Sequence, residues 1–281
     1  MSPTIVFVHG AFGNAAIWTP AARELALRGH RTVALDLPGH GLDGSVPLAY
    51  LGTDRAALAT EPSAMAGVTT SDDVALLRDV LGRAREHGPV TLVGASRAGL
   101  ALTAVANEAP ELVDRLVYVT AWCCVEHTAS EYLALPEYAD SLLATVAPLT
   151  VGDPATLDAI RVDWRVTDPE RLDELQELLL ADGTRDELLA FLRLQDPDEY
   201  LAVDERATRV DAATWGRVPH SYVRVTDDRA IPPAMQDRLI AEADRLTPDN
   251  PFDVHSIPGS HVGFHLRPGA LVDVLGRIAA R

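Results

Sequence analysis

Short apolar runs of strand length recur along this chain with helix-period stretches between them, and that alternation limits the possible folds more than any other feature. It predicts strands over residues 4–9, 31–35, 90–93, 115–120, 220–225 and 252–257. Helices are predicted over 15–27, 73–87, 98–108, 232–246 and 268–280, with Ser71, Asp72 and Asp73 marking one start. Gly29, the pair Gly88-Pro89 and Pro110 punctuate them. Repeated β–α units of this kind build a mostly parallel sheet flanked by helices. Between residues 122 and 215 the alternation stops. There, acidic, leucine-rich stretches at 170–181 and 186–194 read as helices with no strand between them. The expectation is one α/β core, residues 1–121 and 216–281, interrupted by a helical cap over 122–215. Residues 43–70 are long for a plain connector and are expected to serve as a lid or pocket wall.

Composition removes whole classes of chemistry. The 24 basic side chains among 281 residues are all arginine, since the chain has no lysine. Schiff-base, pyridoxal-phosphate, Walker and kinase lysines are therefore excluded. Against 41 acidic residues the net charge is −17, which argues against binding nucleic acid or an anionic membrane surface. No apolar run approaches the ~20 residues of a membrane span, and residues 1–9 lack a basic leader pattern. Cys123 and Cys124 are adjacent and poorly placed for a mutual disulfide. The expected location is the cytoplasm and the expected partner a small-molecule substrate.

The strongest chemical signal is Val93-Gly94-Ala95-Ser96-Arg97-Ala98-Gly99, between a predicted strand and a predicted helix. That is the context of a nucleophile elbow, in which small residues at 94 and 98 let a tight turn lift the Ser96 hydroxyl above the sheet. A serine needs a base, and His261 lies in a loop after the last strand, where parallel sheets place their reactive groups. His40 is expected only to shape the pocket, and His30 and His87 sit near helix ends. An orienting carboxylate should follow the preceding strand, where Asp227 and Asp228 both stand. The order Ser, Asp, His is that of α/β-hydrolases. Oxyanion donors are expected at the backbone N–H of Arg97 and in the turn His9-Gly10-Ala11-Phe12-Gly13, at Ala11. That turn lacks the G-x-G-x-x-G of dinucleotide binders. Neither a cofactor nor a metal is expected, because no cluster has ligand spacing.

The chain resembles the α/β-hydrolases, and within them the branch of small methylesterases and hydroxynitrile lyases. The resemblance rests on Val8-His9-Gly10-Ala11, residues 29–37, the Ser96 elbow, Thr226-Asp227-Asp228 with Ile231-Pro232 and Gln236, and Gly259-Ser260-His261. It implies Ser96 as nucleophile, His261 as base, Asp228 as acid, and Ala11 and Arg97 as oxyanion amides, and it resolves the Asp227/Asp228 pair in favour of Asp228. Where the lyases of that branch carry threonine and lysine, this chain has Gly10 and Val262. The implied activity is cofactor-independent hydrolysis of a small, largely apolar ester or related carbonyl compound. Non-hydrolytic lyase or cyclase chemistry, and a receptor with slow turnover, are the alternatives. Phe12, Arg97 and Trp122 are expected at the pocket. For the Arg97 side chain two roles stand open: recognising an acidic or carbonyl-bearing substrate, or pairing with a nearby acid.

Overall fold

Residues 4–8 read Thr-Ile-Val-Phe-Val, and every one is buried, as a strand covered on both faces demands. In the computed structural model, which describes residues 3–280, this strand is β1 (Thr4–Val8). It is followed by β2 (Arg31–Leu35), β3 (Val90–Ser96) and β4 (Arg115–Ala121). Next come β5 (Ala159–Arg161) and β6 (Asp198–Tyr200), then β7 (His220–Val225) and β8 (Asp253–Ile257). Six of these form one sheet, in the order β2-β1-β3-β4-β7-β8, with every neighbouring pair parallel. The four inner strands are almost wholly buried, whereas the edge strands β2 and β8 alternate between covered and open positions. The fold is that of the α/β-hydrolases.

Strand periodicity divides the core into two layers. Ile5 and Phe7 face one side, with Trp18 and the helix Gly269–Ala279, while Val6 and Val8 face the helices Thr70–Arg85 and Ala98–Glu108. The chain moves from β1 outward to β2 and then returns past β1 to β3, so connections leave β1 and β3 in opposite directions. At such a switch point the loops beyond the strand ends part and leave a crevice. The turn after β1 carries Gly10 and Ala11, and Ser96 ends β3.

Several boundaries differ from the sequence reading. The first helix begins as a 3₁₀ turn, Ala15–Trp18, before the α-helix Thr19–Leu27, whose second residue, Pro20, has no N–H to offer a ladder. The helix expected from residue 73 starts at Thr70, because Asp72 reaches back to the Thr69 N–H at 2.9 Å. Among the described residues no helix is long and apolar enough to cross a membrane.

The larger difference lies between residues 122 and 215. Helices Pro169–Leu179 and Arg185–Leu192 are present, but β5 and β6 also pair as a two-stranded antiparallel sheet. Each strand is three residues long and carries charges, so nothing in its pattern signalled a buried strand. Arg161, fully buried, faces Asp198 across the pair and donates to both carboxylate oxygens at 2.7 Å. It also donates to the carbonyls of Leu58 and Glu61, and Ser63 Oγ donates to Asp198 at 2.6 Å. Residues 43–70 are thus fastened to the back of this small sheet. None of them lines the cavity over Ser96, so the expected wall of that cavity is a brace for the cap instead.

A buried charge that loses its partner cannot recover its hydration. Arg161→Leu should therefore lower unfolding free energy by about 3–5 kcal/mol in urea titrations. The double variant Arg161→Leu with Asp198→Leu should recover part of that loss, since no lone charge remains.

Candidate active site

Ser96 sits at the end of β3 with φ of 57°, in the left-handed region that a residue with a Cβ enters only at a cost of order 1–3 kcal/mol. The surroundings must be small for the chain to turn there. A Cβ on Gly94 would come within 2.6 Å of Leu102 and 3.0 Å of the Ala98 methyl, and one on Gly99 within 2.0 Å of the Trp122 carbonyl oxygen. Gly99 thus lets the helix Ala98–Glu108 press onto the end of β4, a role that spacing alone did not show.

The predicted triad members meet above this turn. His261 Nε2 lies 3.2 Å from Ser96 Oγ, and His261 Nδ1 lies 2.7 Å from Asp228 Oδ2. Asp228 is 2% exposed and also accepts from the Ala230 and Ile231 amides at 2.7 and 2.9 Å. Its fourth donor, the Thr120 hydroxyl at 2.5 Å, was not visible in the sequence. Thr120 owes its aim to an irregularity: Ala95 pairs with Val119 but Ser96 with Ala121, and Thr120 bulges at φ 38°. With the carboxylate accepting four bonds, Nδ1 carries the imidazole proton and Nε2 faces the serine as acceptor.

Asp227 does something else. It is exposed, its N–H donates to the Gly259 carbonyl at 3.1 Å, and its carboxylate accepts from the Gly259 N–H at 3.3 Å. It clamps the two loops that carry Asp228 and His261. From the cap, Asp182 accepts from Ser260 Oγ, and the Val262 N–H donates to the Leu179 carbonyl.

The turn after β1 lies against the serine. A Cβ on Gly10 would stand 3.1 Å from the Ser96 Cβ and from the Ala95 carbonyl oxygen, so glycine permits the close approach. His9 holds the turn from behind: its Nδ1–H donates to the Gly10 carbonyl at 2.9 Å and its Nε2 accepts from the Leu37 N–H at 3.0 Å. Burial, followed by the nearness of His40, pushes His9 down to about 4, consistent with that neutral form. Phe12, with φ of 57°, donates its N–H to Glu199 Oε2 at 3.0 Å. Gly10, Ala11, Phe12 and Arg97 all line the cavity above Ser96.

Of the two roles open to the Arg97 side chain, the structure contains the ion pair. Its Nη1 lies 3.1 Å from Glu199 Oε1, and its guanidinium covers the Tyr200 ring at 4.0 Å. Behind it, His40 Nδ1 stands 3.4 Å from Asp196 and His40 Nε2 3.6 Å from Glu199. Burial works against the charge on both buried partners. Arg97 and His40 nevertheless hold Glu199 at about 2, while Asp196 and Glu199 hold His40 up at about 9. His40 therefore belongs to a buried ionic cluster and is absent from the cavity wall.

The cavity over Ser96 has a volume of about 580 Å³. Phe12 and Trp122, both expected there, line it, and the cap adds Tyr138, Trp164 and Phe191. Phe12 meets Trp164 edge-on at 5.3 Å, and Trp122 packs beside Tyr138 at 5.9 Å. His265, which burial pushes down to about 3 with His261 adding to the effect, lies in the wall as a neutral ring. The sequence offered no means of assigning the cap's side chains to this wall.

His40 generates a pH prediction. Its folded value near 9 exceeds the 6.5 of an unfolded chain, so its stabilisation is complete below about pH 6.5 and lost as pH rises towards 9. The other shifted histidines are lowered, so their contributions level off above pH 6.5. Urea unfolding should show a decline of about 2–3 kcal/mol between pH 6.5 and 8.5, below the range in which Cys123 and Cys124 ionise in the unfolded chain. His40→Gln should flatten that slope; an equal slope in both proteins would rule His40 out as its source.

Comparison with known proteins agrees with this architecture. A model of the alpha/beta hydrolase family matches residues 5–274. A pyrethroid hydrolase of Sphingobium wenxiniae is 25% identical over 282 residues, spanning 98% of this chain and 87% of that protein. Among solved structures, a pyrethroid hydrolase superposes with a TM-score of 0.71 at 21% identity, covering 100% of this chain and 98% of the other. Polyneuridine aldehyde esterase gives 0.70 at 17% identity, covering 99% and 100%. On sequence over nearly its whole length, as on fold, the chain belongs to the alpha/beta hydrolase family.

Proposed function

We propose that this protein is a serine carboxylesterase for bulky, apolar esters. The observation that carries this reading is the hydrogen-bonded series from Ser96 through His261 to Asp228, opening into a cavity walled by aromatic side chains. In the first half-reaction Ser96 Oγ attacks the ester carbonyl carbon while its proton passes to His261 Nε2. The Ala11 and Arg97 amides receive the negative charge that develops on the carbonyl oxygen. Asp228 holds the ring in the reactive tautomer and stabilises its cationic form. As the intermediate collapses, the alcohol leaves with the proton from His261 and the acyl group remains on Ser96. In the second half, His261 takes a proton from water, whose oxygen attacks the acyl carbon; the acid departs and Ser96 regains its proton.

Size and polarity of the cavity guide the choice of ester. Drug-sized ligands occupy pockets of roughly 300–1,000 Å³, and this one falls in that range. A small methyl ester would leave most of it unfilled, so the substrate favoured here is larger than the small ester that the sequence suggested. The similarity to a pyrethroid hydrolase supports trying a pyrethroid as one candidate ester.

Hydrolysis of 4-nitrophenyl esters of increasing acyl length, together with labelling by a fluorophosphonate, tests the reading. Ser96→Ala should fold, lose labelling and lose nearly all turnover, since only binding and oxyanion effects remain. Asp228→Asn should lower kcat by up to ~10⁴-fold, the size of loss known for trypsin's orienting aspartate, while Asp227→Asn costs far less. Wild-type protein that neither labels nor turns over any ester would overturn the serine mechanism. A crippled Asp227→Asn beside an active Asp228→Asn would overturn the choice of acid.

A further inference from the structure

Glu199 stands apart from every group the hydrolytic cycle uses, yet it touches both sides of the oxyanion site. It lies in β6, a cap strand, and is only 3% exposed. Its Oε2 accepts the N–H of Phe12, the residue after Ala11, at 3.0 Å. Its Oε1 lies 3.1 Å from Nη1 of Arg97, the residue whose backbone is the other assigned donor. Neither partner is local, since Glu199 is 187 residues from Phe12 in the chain.

We propose that Glu199 is a positioning residue that sets the oxyanion hole from the cap, one carboxylate holding the β1 turn and the elbow arginine in fixed relation. The proposal rests on the hydrolase reading above, with Ala11 and Arg97 as donors. Two observations carry it. First, the Phe12 backbone is left-handed at φ 57°, a conformation that a phenylalanine turn does not keep without an outside restraint, and the Glu199 bond supplies one. The Phe12 N–H is thereby committed to Glu199, and Ala11, the residue before it, lines the cavity. Second, the carboxylate's charge is matched on the spot, by Arg97 at 3.1 Å and by His40 at 3.6 Å. A residue serving only to glue the cap to the core could do so through the Phe12 bond alone, whereas this carboxylate also faces Arg97 at a place where desolvation is severe. A purely gluing residue would also leave the chemical step alone: loosening β6 by itself alters the neighbouring wall residues Leu201 and Val203 and so moves KM. Loss of oxyanion alignment instead lowers kcat, because the hole acts on charge that exists only in the transition state.

The test compares Glu199→Ala and Glu199→Gln with wild type, after circular dichroism has verified folding. Kinetics use a 4-nitrophenyl ester, and amide hydrogen exchange follows the peptide spanning residues 9–14. Glu199→Ala should lower kcat about 100-fold with KM within about threefold, as expected for a misaligned donor. Glutamine offers one acceptor but no charge, so it cannot satisfy Phe12 and Arg97 together; its kcat should fall about tenfold. Exchange in the peptide spanning residues 9–14 should quicken in both variants while β1 itself stays protected. Should alanine fail to fold, the glutamine variant carries the same test. A kcat within about threefold of wild type, or a change confined to KM, overturns the proposal. So does unchanged exchange in that peptide, a readout that holds even if no ester is turned over and the serine reading falls by itself.

Discussion

The left-handed turn at Ser96 is the constraint from which the rest of the site follows. A strand must end and a helix begin within two residues, and the hydroxyl must stand clear of both. Only small neighbours allow that, so Gly94 meets Leu102 and Gly99 meets the Trp122 backbone with no room for a methyl group. Pressing the helix onto the end of β4 goes with the break in register there, and the break turns Thr120 towards Asp228. Turn strain at one residue is thereby linked to the orientation of a carboxylate in the loop after another strand. The strain persists because buried packing on both sides over-determines it.

The parts of the fold governed by periodicity were legible in the chain. Inner strands such as Thr-Ile-Val-Phe-Val announce themselves by unbroken apolar character, and the serine elbow by small residues at a strand-to-helix junction. The order of Ser96, Asp228 and His261 along the sequence was equally open to reading, because each follows its own strand. What escaped was the burial of charge within the cap. Arg161, Asp198 and Glu199 look like surface residues in any linear pattern, and only tertiary pairing explains their burial. Strands β5 and β6 were missed for the same cause, since three residues give period two almost no chance to show. Residues 43–70 looked like a lid because their length was known but their anchor, the buried Arg161, was not.

Electrostatics inside this protein contrasts with its surface. The chain as a whole carries −17, yet the buried cluster next to the elbow brings Arg97 and His40 against Glu199 and Asp196 in near balance. An all-arginine complement suits that task. A guanidinium can cover the Tyr200 ring, face a carboxylate and reach a carbonyl at once, as Arg97 does, where an ammonium offers a single point of charge.

The cap divides its labour by side-chain type. Polar residues at the β5–β6 sheet and at Asp182 grip the core, while apolar ones such as Tyr138, Trp164 and Phe191 form the ceiling over the serine. The anchoring side chains and the ceiling side chains are different ones in the same inserted segment. Ancestral drift in such a scaffold can therefore exchange ceiling residues one at a time, enlarging or reshaping the room above a fixed reaction centre. New substrates become reachable by redecoration, without rebuilding the machinery underneath.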